Sequence, residues 1–186
     1  MIPVMVCNED FSPPKNPNFL KKQLERARFE RALEIAQSMV ESGAFLNSAE
    51  LGRINNVIRG EKGEPWRDGA TICALPSGRK QTFQILADPV TKAREILRIA
   101  KDRAAAGEII GAAADLYADL VLTHVFKDGN RRTAVVASAY LLKLYGYEVS
   151  ASGLHDLGLG DLRATGGREA LRELVRNAVK ITSIRG

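Results

Sequence analysis

The sequence has few of the residues that build metal centres and disulfide frameworks. It contains two cysteines and two histidines in 186 residues. Cys7 and Cys73 are far apart, and neither belongs to a CxxC pair or a His/Cys cluster. The sequence therefore predicts neither a zinc site nor a disulfide scaffold. This cysteine usage suits a reducing compartment, and we expect a cytoplasmic protein.

Long hydrophobic runs are absent as well, which argues against a membrane-spanning helix. No apolar stretch approaches the roughly 20 residues that a span requires. The N-terminal MIPVMVC is too short for a signal peptide, and a proline-rich segment follows it at residues 8–18. The net charge of +5 favours phosphate-bearing or acidic ligands. Lysine and arginine are spread through helical segments as often as they cluster, so a solvated face is the simpler interpretation, and a basic nucleic-acid-binding helical protein is the weakest alternative. Without a membrane span, we expect no membrane partner.

Apolar residues recur at helical spacing over most of the chain, which predicts a mainly α-helical fold. Ser48 and Asp88 are the expected N-caps of two helices, and Gly60 is an expected C-terminal breaker. The helix that begins near Asn130 is apolar almost all round, which is typical of a buried central helix. The predicted helices cover residues 19–42, 49–59, 89–106, 108–124, 130–145 and 168–181.

Residues 61–86 differ in character from this helical pattern. Glycine and proline interrupt two short apolar pieces, ATICAL and QTFQIL, and the intervening PSGRK suits a turn. This arrangement predicts a small β-hairpin. Trp66, at the start of the segment, is expected to be a packing anchor. We expect residues 1–44 to form an N-terminal arm and helix and residues 45–186 the main domain, or the two to form one compact unit.

One segment, THVFKDGNRRTA at residues 123–134, concentrates groups that bind phosphate or move protons. It joins two apolar helices, and the second helix presents unpaired N–H groups and the positive end of its dipole, which form an anion site. Gly129 would allow the backbone to approach a ligand closely. Asn130 could cap the helix or donate its amide to a phosphate oxygen. Arg132 supplies a guanidinium suited to phosphate.

The same segment offers a metal ligand and a proton acceptor. Asp128 is a reasonable oxygen ligand for Mg²⁺, and His124 is a general base of near-neutral pKa. Phe126 should point into the core and fix the loop. Each feature alone is more often structural, because single histidines pack, Asp-Gly-Asn runs form turns and arginine pairs are solvated. Their conjunction between two apolar helices favours a phosphoryl-type transfer site.

The segment HVFKDGNRRTA resembles the signature of the Fic/Doc (Fido) family, His-x-Phe-x-Asp/Glu-Gly/Ala-Asn-Gly/Lys-Arg. The resemblance implies a Fic-type helical bundle with a small β-hairpin inserted before the core helices. It implies an enzyme that transfers part of ATP to a Ser, Thr or Tyr hydroxyl of a protein docked at a hairpin near residues 71–86. It also assigns roles: His124 is the base, Asp128 the Mg²⁺ ligand, and Gly129, Asn130 and Arg132 bind phosphate.

Three positions depart from the pattern of the AMP-transferring members. Val125 replaces a proline, Arg131 replaces a glycine, and Val135 replaces a second arginine. Doc-type toxins carry lysine at the second of these positions. A bulky cation there would crowd the α-phosphate and favour a nucleotide that presents its γ-phosphate, so we favour phosphate transfer, with Arg131 in the nucleotide cradle. AMP transfer by the same site and a catalytically silent binding module whose cradle Arg131 fills are the alternatives.

The last departure concerns regulation. Self-restraining family members use a Ser/Thr-x-x-x-Glu helix whose glutamate pairs with the second arginine. Here only Thr165 to Glu169 has the required spacing, and the position of the partner is occupied by Val135. A plain helix start is the simpler interpretation, and a separate antitoxin would be the natural restraint. His155, in a glycine-rich connection, is expected to be a surface residue.

Overall fold

The structure is a computed structural model that describes residues 17–74, 80–84, 86–149, 154 and 166–183. Within them the chain forms six helices and one antiparallel hairpin, which confirms the predicted mainly α fold. Most of the predicted arm, the hairpin turn and His155 lie outside the described residues. The elements are α1 (Pro17–Ser42), α2 (Ser48–Arg59), β1 (Thr71–Ala74), β2 (Lys80–Phe83), α3 (Pro89–Ala105), α4 (Ile109–Thr123), α5 (Asn130–Leu144) and α6 (Gly167–Ser183).

The helix boundaries follow local capping chemistry. Asp88 caps α3 as predicted, and its carboxylate accepts hydrogen bonds from the N–H groups of Val90 and Thr91. The prediction that Ser48 caps α2 was wrong. Asn47 has the extended conformation of an N-cap, and its side chain accepts from Glu50 N. Asparagine and serine are about equally good N-caps, so the sequence alone did not distinguish the two neighbours.

Helices α4 and α5 form the centre of the fold. They pack against each other, α3 and α6 contact α4, and α1 and α2 contact α5. The small side chains Ala113, Ala114 and Ala118 on α4 are fully buried, which allows close helix packing. Because the loop between α4 and α5 emerges at one end of this buried pair, its two anchor points are fixed by the core.

A network of ion pairs holds α6 against this centre. Arg172 on α6 donates to the Asp115 carboxylate on α4 at 2.8 and 3.1 Å, and Arg103 on α3 also bonds it. Burial raises the pKa of Asp115, but the bonds from Arg172 and Arg103 outweigh burial and hold the pKa below its ordinary value. Among the described residues, no helix is long and apolar enough to cross a bilayer.

The hairpin contains both of the β-strands in the described residues. Its register pairs Thr71 with Phe83 and Ala74 with Lys80, as antiparallel neighbours. Phe83, at the end of β2, is 7% exposed and packs beside the α4–α5 loop. The predicted hairpin is therefore confirmed, and its second strand ends next to the motif.

Candidate active site

The α4–α5 loop begins and ends with residues in the left-handed region. His124 is the C-cap of α4 with φ 55° and ψ 54°, and its N–H donates to Leu120 O at 3.0 Å. Among the described residues, no other residue besides glycine has a positive φ. Gly129, with φ 74°, is the N-cap of α5, which begins at Asn130 as predicted. This backbone geometry turns the chain sharply between two antiparallel core helices.

Asn130 holds the loop together from inside. Its Oδ1 accepts from Phe126 N at 2.9 Å, and its Nδ2 donates to Phe126 O at 2.9 Å. The residue is 4% exposed, so both ends of its amide are used in the interior. The alternative that Asn130 caps α5 was wrong, because Gly129 occupies the N-cap position without a side-chain hydrogen bond. Its donation to a phosphate oxygen stays a prediction.

Helix α2 supplies a second internal support. Asn55 is fully buried, and its Nδ2 donates to Asp128 O at 2.8 Å and to Thr133 Oγ1 at 2.9 Å. A Cβ on Gly129 would lie 3.2 Å from the Asn55 side chain and 3.3 Å from Ile58. The absence of a side chain at Gly129 therefore lets the loop pack against α2, and its close approach to a ligand stays a prediction.

The segment before the hairpin supports the opposite side of the loop. Trp66 and Phe126 stack with ring centroids 4.8 Å apart, and Phe126 has no exposed surface. Arg67 N donates to Val125 O at 2.9 Å, and Lys127 N donates to Pro65 O at 3.0 Å. Both aromatic residues are the packing anchors that the sequence predicted.

The His124 imidazole lies between the loop and the hairpin. Its ring stacks on Phe83 at 4.4 Å between centroids and 22° between planes. Burial and the positive charge of Arg67 lower the pKa of His124 to about 4, against the opposing effects of Asp128 and a hydrogen bond to the Val121 backbone. The imidazole is therefore neutral at pH 7, and a neutral imidazole keeps one nitrogen lone pair that can accept a proton.

The Asp128 and Arg131 side chains are exposed, and the Arg132 side chain is partly buried. Asp128 has 76% of its side chain exposed, its Oδ1 accepts from Gly129 N at 2.6 Å, and its Oδ2 lies 3.9 Å from Arg132 Nη2. Arg131 is exposed, and its guanidinium is close enough to the buried Tyr117 hydroxyl for its positive charge to partly offset the rise in the pKa of Tyr117 that burial causes. The buried Tyr117 hydroxyl forms no hydrogen bond of standard geometry within the described residues.

The donor set at this surface suits one kind of metal site. No group of three or more His, Cys, Asp or Glu side chains that could hold a metal occurs in the described ranges. Asp128 is instead a single accessible carboxylate. Mg²⁺ in proteins is commonly bound by one or two carboxylates together with substrate phosphates, so Asp128 fits a cation that arrives with a nucleotide.

The N-terminus of α5 differs from those of α2 and α3. Side chains of Asn47 and Asp88 cap α2 and α3, whereas no side chain caps α4 or α5. The first turn of α5 carries Arg131 and Arg132, and the neutral imidazole of His124 lies at the other end of the same loop. An uncapped helix N-terminus with two adjacent cations is suited to an anion.

Comparison with known proteins agrees with this geometry. A model of the Fic/DOC family matches residues 45–142, which is more than half of the sequence. The chain belongs to the Fic/DOC family. The match includes α2, the hairpin and nearly all of α5, so every element that supports the loop lies within the matched Fic region.

Solved Fic structures share the fold at low sequence identity. A Fic-domain-containing signalling protein from Bacteroides thetaiotaomicron has a TM-score of 0.60 and 18% identity over 88% of this chain and 68% of its own. IbpAFic2 covalently tethered to Cdc42 has a TM-score of 0.61 and 17% identity over 89% of this chain and 58% of its own. Fic-1 from C. elegans has a TM-score of 0.54 and 16% identity over 94% of this chain and 56% of its own. Among curated proteins, none matches the sequence.

The segment that resembles a Fic inhibitory pattern has other contacts here. Glu169 lies in the first turn of α6 and accepts from Arg172 at 2.9 Å. Val135, at the position of the partner arginine, is fully buried. Thr165 lies outside the described residues. The described contacts thus agree with a plain helix start at Glu169.

Sequence reasoning missed three residues of this Fic site: Asn55, Arg67 and Thr133. Each is at most 5% exposed and forms hydrogen bonds that hold the loop or the hairpin. A weak signal was present for Asn55, since it is a polar residue on the apolar face of a predicted helix. Buried polar residues need partners, and those partners come from distant parts of the sequence.

Proposed function

We propose that the protein is a Fic/Doc-type transferase that moves part of ATP onto a Ser, Thr or Tyr hydroxyl of a target protein, with phosphate transfer favoured. The observation that supports this most directly is the uncapped N-terminus of α5, with Arg131 and Arg132 in its first turn and the neutral His124 across the loop. That arrangement combines an anion site and a proton acceptor within one loop that internal hydrogen bonds hold.

His124 would act as the base. The acceptor hydroxyl gives its proton to the imidazole, a new oxygen–phosphorus bond forms, and the bond to the leaving phosphate breaks. The leaving group is ADP if phosphate is transferred and pyrophosphate if AMP is transferred. A pKa of about 4 makes a weak base, but the negative charge of a bound triphosphate raises the pKa of a nearby imidazole. Nucleotide binding would therefore bring His124 closer to the value that favours general-base catalysis.

Asp128 and Arg132 would hold the charged part of the nucleotide. Asp128 offers an exposed carboxylate to Mg²⁺, and that ion would neutralise charge on the phosphates. Arg132 Nη2 is 3.9 Å from Asp128 Oδ2, so both groups lie beside the same space at the start of α5. A guanidinium suits phosphate oxygens because it can donate two parallel hydrogen bonds.

Arg131 supports phosphate transfer over AMP transfer. It places a long cation at the first turn of α5, where the AMP-transferring relatives have glycine, and a large side chain there leaves less room for an α-phosphate and its nucleoside. AMP transfer remains the first alternative. A silent module, with Arg131 in the cradle, is the second.

The hairpin is the proposed docking place for the target. The contact between Phe83 and His124 sets the end of β2 against the proposed base. β-strand addition to an exposed sheet edge is a common way to bind an extended peptide. IbpAFic2, a structural neighbour, is known covalently tethered to Cdc42, which is a protein partner. We further propose that a separate antitoxin protein restrains the activity.

Labelled ATP tests the proposal directly. Purified protein with Mg²⁺ and a lysate should transfer label from γ-labelled ATP to a protein, and His124→Ala should transfer none. Arg131→Gly should increase transfer from α-labelled ATP relative to γ-labelled ATP, with Arg98→Gly on exposed α3 surface as the matched control. Transfer of α-label by the unmodified protein would establish the AMP alternative. The absence of both transfer and Mg²⁺-dependent ATP binding in a calorimetric titration would leave the silent module.

A further inference from the structure

Arg67 is a buried cation that bonds backbone carbonyls on both sides of the site. It is 5% exposed. Its Nε donates to His124 O at 2.8 Å. Its Nη1 lies within hydrogen-bond distance of Gly69 O at 2.9 Å, Phe83 O at 3.0 Å and Gln84 O at 2.7 Å. One guanidinium therefore joins the end of α4 to the end of β2.

The two residues that Arg67 joins also touch through their side chains. His124 and Phe83 stack at 4.4 Å, and Arg67 bonds the backbone carbonyl of each. His124 has a left-handed backbone, which is unfavourable for a residue other than glycine. The bond to His124 O helps to hold that conformation. One side chain thus contacts both the backbone of His124 and the end of β2, where the His124 ring also stacks on Phe83.

No carboxylate pairs with Arg67 within the described residues, and its acceptors there are carbonyls. A buried cation is costly unless its donors are satisfied. A guanidinium has five donors in a fixed planar fork, whereas a lysine ammonium has three donors around one point. Lysine would keep the charge but could not span acceptors on two separate elements. The geometry, more than the charge, therefore requires arginine.

We propose that Arg67 is the positioning residue that fixes the hairpin to His124, so that a target strand held along the hairpin meets the imidazole at a set distance. The part that concerns a target rests on the proposed function. The part that concerns the hairpin and the imidazole does not, and it is tested without any activity.

Histidine ring resonances provide the first test. The chain has two histidines, so the Cε1–H region of a ¹H–¹³C spectrum of the full chain should show two signals, and the one that remains in His155→Gln is that of His124. The Phe83 ring should shift the His124 signal upfield. Arg67→Met and Arg67→Lys should both move it toward the position of a solvated histidine. Arg172→Met, which breaks ion pairs on α6, is the matched control and should leave it in place. An unchanged His124 signal in a folded Arg67→Met protein would overturn the proposal.

The wild-type protein provides a second test, which holds even if the variants fail to fold. The Arg67 Nε–H bonded to His124 O should exchange with solvent more slowly than that of the exposed Arg98, by roughly tenfold or more, since exchange requires the buried bond to open. Exchange of all arginine Nε–H groups at the rate of Arg98 would contradict a fixed contact.

Kinetics connect the contact to the proposed reaction. If the enzyme is active, Arg67→Lys should lower kcat/KM for the protein target by roughly 10- to 100-fold, because misplacement of a catalytic group is costly, and should leave ATP affinity nearly unchanged. Equal kcat/KM in Arg67→Lys and wild-type protein would overturn the positioning role. If the wild-type protein transfers nothing, the proposed function fails, and the two spectroscopic tests still decide whether Arg67 fixes the imidazole.

Discussion

The two sides of the α4–α5 loop differ in exposure, because some residues of the motif are buried on the inner side and others are exposed on the outer side. On the inner side, Phe126 and Asn130 are buried and bond each other, and Gly129 packs against α2. On the outer side, Asp128 and Arg131 are exposed and project from the surface. The inner residues are joined by hydrogen bonds, whereas the outer residues keep exposed charged groups, with Arg131 near the Tyr117 hydroxyl and Asp128 3.9 Å from Arg132.

This difference shows that about half of the motif acts as scaffold. The amide of Asn130 binds the Phe126 backbone, and the amide of Asn55 binds the Asp128 carbonyl, so the inner side determines where the outer groups point. His124 belongs to both sides, since its backbone caps α4 and its ring faces the hairpin. Substitutions on the outer side should therefore change the transfer activity, and substitutions on the inner side should change the free energy of unfolding.

The largest expected effect lies on the catalytic side. His124→Ala should lower transfer by about 10²- to 10⁴-fold, the usual contribution of a positioned general base. Radiolabel transfer at saturating ATP measures this. The free energy of unfolding should fall by about 1 kcal/mol, because alanine loses the ring stack on Phe83. Wild-type rates in His124→Ala would exclude the imidazole as the base.

Asn130→Ala should produce the largest loss of stability. It leaves the buried N–H and C=O of Phe126 without their partner, at a cost of about 2–4 kcal/mol in the free energy of unfolding. Urea denaturation measures it. Asn130→Asp keeps an acceptor for Phe126 N but loses the donor to Phe126 O, so it serves as the graded control and should remain folded at higher urea than Asn130→Ala. Equal midpoints in Asn130→Ala and wild-type protein would exclude this internal role.

Gly129→Ala tests the contact with α2. A Cβ there would meet Asn55 at 3.2 Å and Ile58 at 3.3 Å, in a backbone of φ 74°. Gly43 has a similar φ of 68° with nothing within 4 Å of its Cβ position. Gly43→Ala therefore gives the backbone cost alone, about 1 kcal/mol. Gly129→Ala should lower the free energy of unfolding by roughly 1 kcal/mol more than Gly43→Ala, as urea denaturation would measure. Equal losses in the two variants would show that Asn55 and Ile58 move aside at no energetic cost.

Much of this architecture could be predicted from the sequence. Helical periodicity placed all six described helices, and alternation with glycine and proline placed the hairpin, because both patterns are local. The motif identified the loop, Phe126 as a core residue and the start of α5 at Asn130. These predictions depend on residues that are neighbours in sequence.

The missed contacts are those that join distant parts of the chain. Asn55 bonds residues more than 70 positions later, and Arg67 bonds His124 57 positions later. The periodicity of apolar residues is a local pattern and does not predict such a pairing. The mistaken cap at Ser48 had a different cause, since adjacent asparagine and serine are equivalent by propensity and only the backbone conformation separates them. Single-sequence reasoning therefore recognised the chemical groups and missed the polar contacts that orient them.

The smallest expected effect is a pH dependence of stability at His124. The pKa of His124 is lowered to about 4 in the folded protein from 6.5, so the unfolded chain binds the proton more readily. The stability that this group contributes is complete above pH 6.5 and is lost as the pH falls to about 4. Its size is on the order of 1 kcal/mol, given partial solvent access.

His124→Asn lacks the titration and tolerates a left-handed backbone. The difference in unfolding free energy between wild type and His124→Asn should therefore change in the direction unfavourable to wild type between pH 6.5 and pH 4. A constant difference over that range would show that the folded imidazole titrates normally, and the outer side of the loop would then be less desolvated than its contacts imply.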